Sequence, residues 1–261
     1  MDHELNKQLR YLGLAYLADQ WQVIHADAQA HAPSYSRFLT QIVAEEYQRK
    51  IEQARLARIK RAKIPEVLVM DTFPFDQQPR LKKQLVMELY DSLQFLNEKQ
   101  DLVFIGPTGC GKTGLATAFL VHAVNQGCRG LFIDFSDLLD SLYQSRGSYS
   151  ESTLMKRYAA LDILLIDELG YIAAEQEQAS LFFDLMRRRH QRGTTLITTQ
   201  LGFDEWDTFL HDPHVTAALL DRITVNCVVF NMKDGISIRP KHIVYAADSQ
   251  QNPDNQHPTD T

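Results

Sequence analysis

Cysteine is scarce in this chain. Its three copies, Cys110, Cys128 and Cys227, lie far apart and form no CxxC pair. Neither a disulfide framework nor a thiolate zinc site is therefore expected, and a reducing, cytoplasmic setting fits. No apolar run approaches the ~20 residues that a membrane-crossing helix needs, and the opening MDHELNKQLR lacks the basic-then-apolar order of a secretory signal. No internal repeat is visible. Positive charge is in deficit as well: 27 Lys and Arg stand against 33 Asp and Glu, a net charge of −6, which on its own argues against binding nucleic acid. What is present is an apolar fraction of 44% in 261 residues. That is enough for one large domain, or for a small one beside a core of roughly 180–200 residues.

Residues 1–66 read as a small all-helical unit. Leu5, Leu9, Leu12 and Tyr16 recur at three- and four-residue steps, and HAPSYS then breaks the pattern, with Ser34 or Ser36 placed to cap the next helix. Leu39, Val43, Tyr47, Ile51 and Ala54 form a second stripe on a long helix that should stop before Pro65. Two helices striped on one side predict a small bundle, or an arm that docks elsewhere. After the proline-rich PEVLVMDTFPFDQQP, residues 67–245 alternate helical stretches with short apolar strands: DLVFI, GLFIDF, DILLID and TTLITT, then a last strand in VNCVVFNMKDGISI with a turn at KDG. Strands of that kind between helices predict a parallel sheet sandwiched by helices, an α/β fold. Residues 246–261 are polar and read as a disordered tail.

The segment Gly106-Pro107-Thr108-Gly109-Cys110-Gly111-Lys112-Thr113, followed by Gly114, satisfies GxxxxGK[ST] with a strand before it and a helix after it. The glycines let backbone N–H groups turn inward around phosphates, and the helix N-terminus adds partial positive charge. Lys112 should reach the β- and γ-phosphates, and the Thr113 hydroxyl should ligate Mg²⁺. LDILLIDELG ends a strand in Asp167 and Glu168. Asp167 suits the metal, directly or through water, and Glu168 suits polarising a water aimed at the γ-phosphate, which is the chemistry of hydrolysis. GLFIDF is expected to lie between the phosphate loop and this acidic pair, and an extra strand there, with a neighbouring glutamate, separates hydrolytic ATPases from most small-molecule kinases and GTPases. No arginine lid over an acceptor pocket can be read. The strand TTLITTQ ends in Thr199 and Gln200, whose amide either helps position the water or simply meets solvent. In AALLDRI, Arg222 is either a finger toward an adjacent subunit's nucleotide or a surface ion pair with Asp221 or Glu205. Arg187, Arg188, Arg189 and Arg192 read as a solvated helix face.

The net negative charge conceals one basic stretch. Arg49, Lys50, Arg55, Arg58, Lys60, Arg61 and Lys63 stand against the single Glu52 within RKIEQARLARIKRAK. Such a helix suits the phosphates of duplex DNA, with a solvated face or an acidic protein partner as the alternatives. No base-reading motif accompanies it, so contact with DNA should be weakly sequence-specific. Cys110 is read as a tolerated small residue, and His122 and His190 as structural.

Taken together, RIKRAKIPEVLVMDTFPFDQQP, FIGPTGCGKTGLA, LDILLIDELGYIAAEQEQASLFFDLMRRRHQRGTTLITTQLGFDEW and AALLDRI resemble the IstB-type AAA+ ATPases, helpers of two-gene bacterial insertion sequences and relatives of DnaC and DnaA. The resemblance implies a P-loop AAA+ fold. It also implies ATP and Mg²⁺ as cofactors, a homo-oligomer joined across the ATP interface, duplex DNA as substrate and a DDE transposase as partner. Arg222 falls at the family's arginine-finger-like position, and residues 1–66 match its DNA-binding and assembly unit. A DnaC-like helicase loader is the alternative this resemblance leaves. Departures are Gln200, where asparagine is usual, Gly114, where histidine is common, and an atypical ending that leaves Arg239 a weak second sensor.

Overall fold

The computed structural model describes residues 2–66, 68–146 and 149–237. The proposed tail at 246–261 and Arg239 lie outside them. Five strands, β1 (Asp101–Ile105), β2 (Gly130–Asp134), β3 (Ile163–Leu169), β4 (Thr194–Thr199) and β5 (Cys227–Asn231), form one all-parallel sheet in the order β2-β3-β4-β1-β5. The last four residues of β1 and the whole of β4 are buried, as continuous apolar strands covered on both faces must be. One expectation needs correction. The strand inserted in space between the phosphate-loop strand and the acidic strand is β4, whereas GLFIDF, as β2, forms the sheet's edge.

Helices cover both faces. Helices α7 (Phe135–Gln144), α8 (Tyr149–Ala159), α9 (Gln176–Arg189), α10 (Asp207–Leu210) and α11 (Pro213–Thr224) close one side around Leu138, Phe182, Trp206 and Leu219. Helix α6 (Lys112–Asn125), with α4 (Lys83–Ser92) and α5 (Gln94–Asn97), closes the other around Phe95, Phe104, Phe119 and Phe230. Between Arg80 and Leu96 the helical run is broken into α4 and α5 at Leu93, which takes φ +49°.

Upstream stand three helices rather than two: α1 (His3–Tyr11), α2 (Ala15–His31) and α3 (Tyr35–Arg61). The stripe from Leu5 to Tyr16 does not lie on one helix, because Gly13 adopts φ +72° and turns the chain. Asp19 on α2 accepts from Arg10 of α1 at 2.9 Å and from Arg49 of α3 at 2.8 Å. The buried Glu46 of α3 accepts from the Leu17 N–H at 2.8 Å, a carboxylate against the first turn of a helix whose Leu14 cap supplies no side chain. The second stripe is real as a face but uncovered: Leu39, Val43 and Tyr47 are each at least 60% exposed. Only the end of α3 docks on the sheet layer. There Ala62 is fully buried and its carbonyl accepts from Phe132 N–H of β2 at 2.8 Å.

Arg189 also departs from expectation. It does not belong to a solvated face but is 1% exposed, donating to the carbonyls of Tyr158, Leu161 and Thr194 and to the Thr195 hydroxyl. Arg187 and Arg188 do lie outward, both paired with Asp184.

Candidate functional site

The site grows from the carboxyl ends of β1, β3 and β4, where an open parallel sheet places its ligands. After Ile105 the chain turns at Gly106, whose N–H donates to the Thr199 carbonyl at 3.1 Å. A Cβ on Gly106 would stand 2.7 Å from the Met232 carbonyl oxygen, so no side chain fits there. Gly109 and Gly111 take φ +83° and +93°, the left-handed values that turn successive peptide N–H groups toward one side. Lys112 opens α6 and is 9% exposed, its Nζ donating to the Pro107 carbonyl at 2.8 Å.

Three side chains meet beyond the loop. The Thr113 hydroxyl donates to Asp167 Oδ1 at 3.0 Å, and the Thr198 hydroxyl donates to the same oxygen. Thr198 Oγ1 in turn accepts from the Glu168 backbone N–H at 3.0 Å. This arrangement follows from the strand geometry. Ile166 pairs with Ile197 and Leu169 with Thr199, so Asp167 and Glu168 oppose the single residue Thr198 in a bulge. Glu168 takes φ +55° there and Gly170 φ +81°, a turn that leaves Asp167 buried and Glu168 exposed at the rim. Burial pushes the Asp167 carboxyl up from its ordinary range, and Glu168 adds to this. The Thr198 and Thr113 hydroxyls and Lys112 pull the other way. Asp134, opposite Asp167 in the β2–β3 register, is likewise raised, by burial first and then by the charges of Asp167 and Asp137.

A cleft of about 680 Å³ joins these groups. It is lined by Thr108, Gly109, Gly111, Lys112, Thr113 and Gly114 of the loop, by Asp167 to Tyr171, and by Thr198 to Leu201 including Gln200. Pro65, Glu66 and Leu68 close another wall. Sequence reasoning did not select these three or Thr198. For Thr198 a signal existed, since it is a hydroxyl within an otherwise buried strand end. For Leu68 only Gly114 hints at it: a Cβ on Gly114 would lie 3.3 Å from Leu68 Cδ1, a tight contact against the tip of that side chain. Cys110 is fully buried behind the loop.

Other candidates lie elsewhere. Arg222 on α11 is not among the residues lining its own chain's cleft. Its guanidinium stacks 4.9 Å from the Phe183 ring centroid and donates to the Ala218 carbonyl, and it pairs with neither Asp221 nor Glu205. Of the basic stretch, Lys50, Lys60, Arg61 and Lys63 are exposed. The remaining three are engaged within the fold: Arg49 with Asp19, Arg55 with Glu52 and Asn125, and Arg58 with the Val124 carbonyl.

Thr113 and Asp167 offer hydroxyl and carboxylate oxygens, the hard donors that suit Mg²⁺. Among the described residues no group of three or more His, Cys, Asp or Glu side chains could hold a metal unaided. An Mg²⁺ here would complete its shell from phosphate and water. No described helix is long and apolar enough to cross a membrane.

The family described as IstB-like ATP binding protein matches residues 7–246. An ATP-binding protein of insertion sequence IS21 from Pseudomonas aeruginosa is 30% identical over 239 residues, covering 92% of this chain and 89% of the relative. One of insertion sequence IS5376 from Geobacillus stearothermophilus is 28% identical over 244 residues, covering 93% and 97%. Among solved structures, DnaI superposes with a TM-score of 0.55 at 15% identity over 66% of this chain and 93% of that one. AMPPCP-bound DnaA from Aquifex aeolicus superposes at 0.52, with 16% identity over 64% and 51%. These two show the P-loop AAA+ fold. The chain belongs to the IstB-like family of insertion-sequence ATP-binding proteins.

Proposed function

We propose that this protein binds and hydrolyses ATP with Mg²⁺ in the cleft, oligomerises on duplex DNA when ATP is bound, and so recruits or stimulates a DDE transposase. The observation that carries the reading is the meeting of Thr113, Asp167 and Thr198 beneath an exposed Glu168, at the mouth of a glycine loop. The loop N–H groups and Lys112 hold the phosphates. Thr113 and Asp167 hold Mg²⁺, which when bound neutralises charge on the phosphate oxygens. The Glu168 carboxylate accepts a proton from the attacking water, and the Gln200 amide orients that water. Thr198 fixes the backbone on which Glu168 stands.

Two further observations support assembly on DNA. Arg222 lies off its own cleft, the placement an arginine needs in order to meet a neighbour's nucleotide. Lys60, Arg61 and Lys63 project at the end of α3, close in sequence to the cleft wall of Pro65, Glu66 and Leu68. The insertion-sequence relatives make a transposase the natural partner.

The test is sedimentation and electron microscopy with ATP, Mg²⁺ and long linear duplex, beside an ATPase assay. Wild-type protein should assemble and turn over ATP. Lys112→Ala should do neither, and Glu168→Gln should assemble without turnover. Full-rate hydrolysis by Glu168→Gln would remove Glu168 from its role. Wild-type protein that stays single with every combination of nucleotide and DNA would end the assembly reading.

A further inference from the structure

The chain between α3 and α4 runs behind the phosphate loop and carries there a buried amide that the proposed function does not use. Gln78 is 1% exposed. Its Nε2 donates to the Cys110 carbonyl at 2.8 Å and reaches the Ile236 carbonyl at 3.4 Å. Two carbonyl oxygens at one end of the side chain identify that end as the NH₂. The other end, Oε1, is buried with no hydrogen-bond partner among the described residues. It faces Gly235, where an added Cβ would stand 2.0 Å from it. An unpaired buried oxygen costs stability, so packing alone does not account for this amide.

Its donor end touches the loop at a telling position. The peptide joining Cys110 to Gly111 is trans, as all described peptides are, so its C=O and N–H point in opposite directions. With the Cys110 oxygen drawn back to Gln78, the Gly111 N–H faces the other way, into the loop. That peptide borders Gly111, which sits at positive φ with no side chain to restrict its turn, so an outside hold on the Cys110 carbonyl has a conformation to fix.

We infer that Gln78 is a positioning residue for nucleotide binding: by holding the Cys110 carbonyl behind the loop, it aims the Gly111 N–H at the phosphates. The inference rests on the proposed ATP site and deepens it. Gln78 is itself braced from the end of the sheet. Ile236 N–H donates to the Gln77 carbonyl at 3.1 Å, Met232 N–H donates to Ile105 at 2.6 Å, and Arg80 pairs with Asp234. The stretch after β5 therefore forms one bracket with residues 77–80 behind the loop.

The experiment is calorimetric titration of ATP with Mg²⁺ into full-length wild type, Gln78→Met, Gly235→Ala and Lys112→Ala, with thermal melting of each nucleotide-free protein. Methionine keeps the length and volume, and removes both the unpaired oxygen and the donor. Q78M should melt within a few degrees of wild type yet bind ATP about tenfold or more weakly, as expected for a misaligned hydrogen bond to a charged group. G235A leaves Gln78 in the sequence but occupies the space of its carboxamide, and Gly235 lies outside the left-handed region, so the new methyl acts through contact, first with the carboxamide at 2.0 Å and then with the Met232 carbonyl at 3.0 Å. It should weaken binding in the same direction. In amide spectra, the Gly111 resonance should shift on ATP addition in wild type and much less in either variant, a readout that a purely structural role would not move. Wild-type affinity and a normal Gly111 shift in both variants would overturn the inference. If Q78M fails to fold, G235A alone decides, by the same two measurements. Failure of wild type itself to bind ATP, with K112A indistinguishable from it, would overturn the proposed site and this inference with it.

Discussion

Thr198 and Asp167 share a hydrogen bond at the sheet's carboxyl end, hydroxyl to carboxylate, and the same hydroxyl receives the Glu168 N–H at 3.0 Å. One β4 side chain thus sets both members of the acidic pair. Thr198→Val keeps the shape and removes both bonds. It should lower kcat for ATP by about tenfold, the equivalent of one such bond in the barrier, and lower stability by about 1–3 kcal/mol because buried Asp167 loses a donor. Steady-state ATPase rates beside urea unfolding check this. An unchanged kcat would show that Glu168 is held without Thr198.

Asp101, at the opposite end of β1, gives a pH signature. Burial lifts its carboxyl to about 7 from an ordinary value near 3.8, against the Thr195 N–H, which donates to it at 2.6 Å, and the charge of Arg189. Between those two values the folded state holds a proton that the unfolded state has lost. This group's contribution to stability therefore falls as pH rises from about 4 to about 7. Asp101→Asn keeps an acceptor for Thr195 and should remove that slope, raising stability at pH 8 relative to wild type. Denaturant midpoints at pH 5 and pH 8 measure it, and parallel curves for the two proteins would contradict it.

Arg189 serves three carbonyls and a hydroxyl while buried. Arg189→Met removes four buried donations at once and should cost about 3–5 kcal/mol in urea unfolding. A loss under about 1 kcal/mol would mean that the site closes up without the guanidinium.

The triple variant Lys60→Ala, Arg61→Ala, Lys63→Ala removes exposed cations at the close of α3. The slope of log binding constant against log salt for duplex DNA should shrink by about 0.9 for each of these residues that meets a phosphate. An unchanged slope would move the DNA surface elsewhere.

Arg222→Ala removes a partly exposed side chain that stacks on one ring and donates to one carbonyl. Melting should stay close to wild type, whereas ATP turnover in the DNA-bound assembly should fall by about 10³ or more. Normal turnover in assembled material would exclude a finger role.

Much of the fold was legible because its signals are local. LVFI and ILLI, short apolar runs set between helical stretches, read as strands buried on both faces, and the glycine loop between β1 and α6 needs nothing outside itself to be read. The three-helix start was less legible, since Leu12-Gly13-Leu14 keeps the apolar count in step while Gly13 turns the backbone. Arg189 could not be separated from Arg187 and Arg188 by composition, because its burial depends on carbonyls from separate stretches of chain. Thr198, Leu68 and Gln78 acquire their roles from neighbours at the site that are 30 or more residues away, a relationship no spacing encodes.

Ala62 is clamped to the edge of the sheet through Phe132, and Leu68 rests on Gly114 at the first turn of α6. The chain from 62 to 68 joins those anchors, and six residues reach at most about 20 Å even fully extended. The cations at the close of α3 are thereby leashed to the phosphate loop at a fixed maximum radius. Whatever those cations meet therefore stays within a short arm's length of that loop.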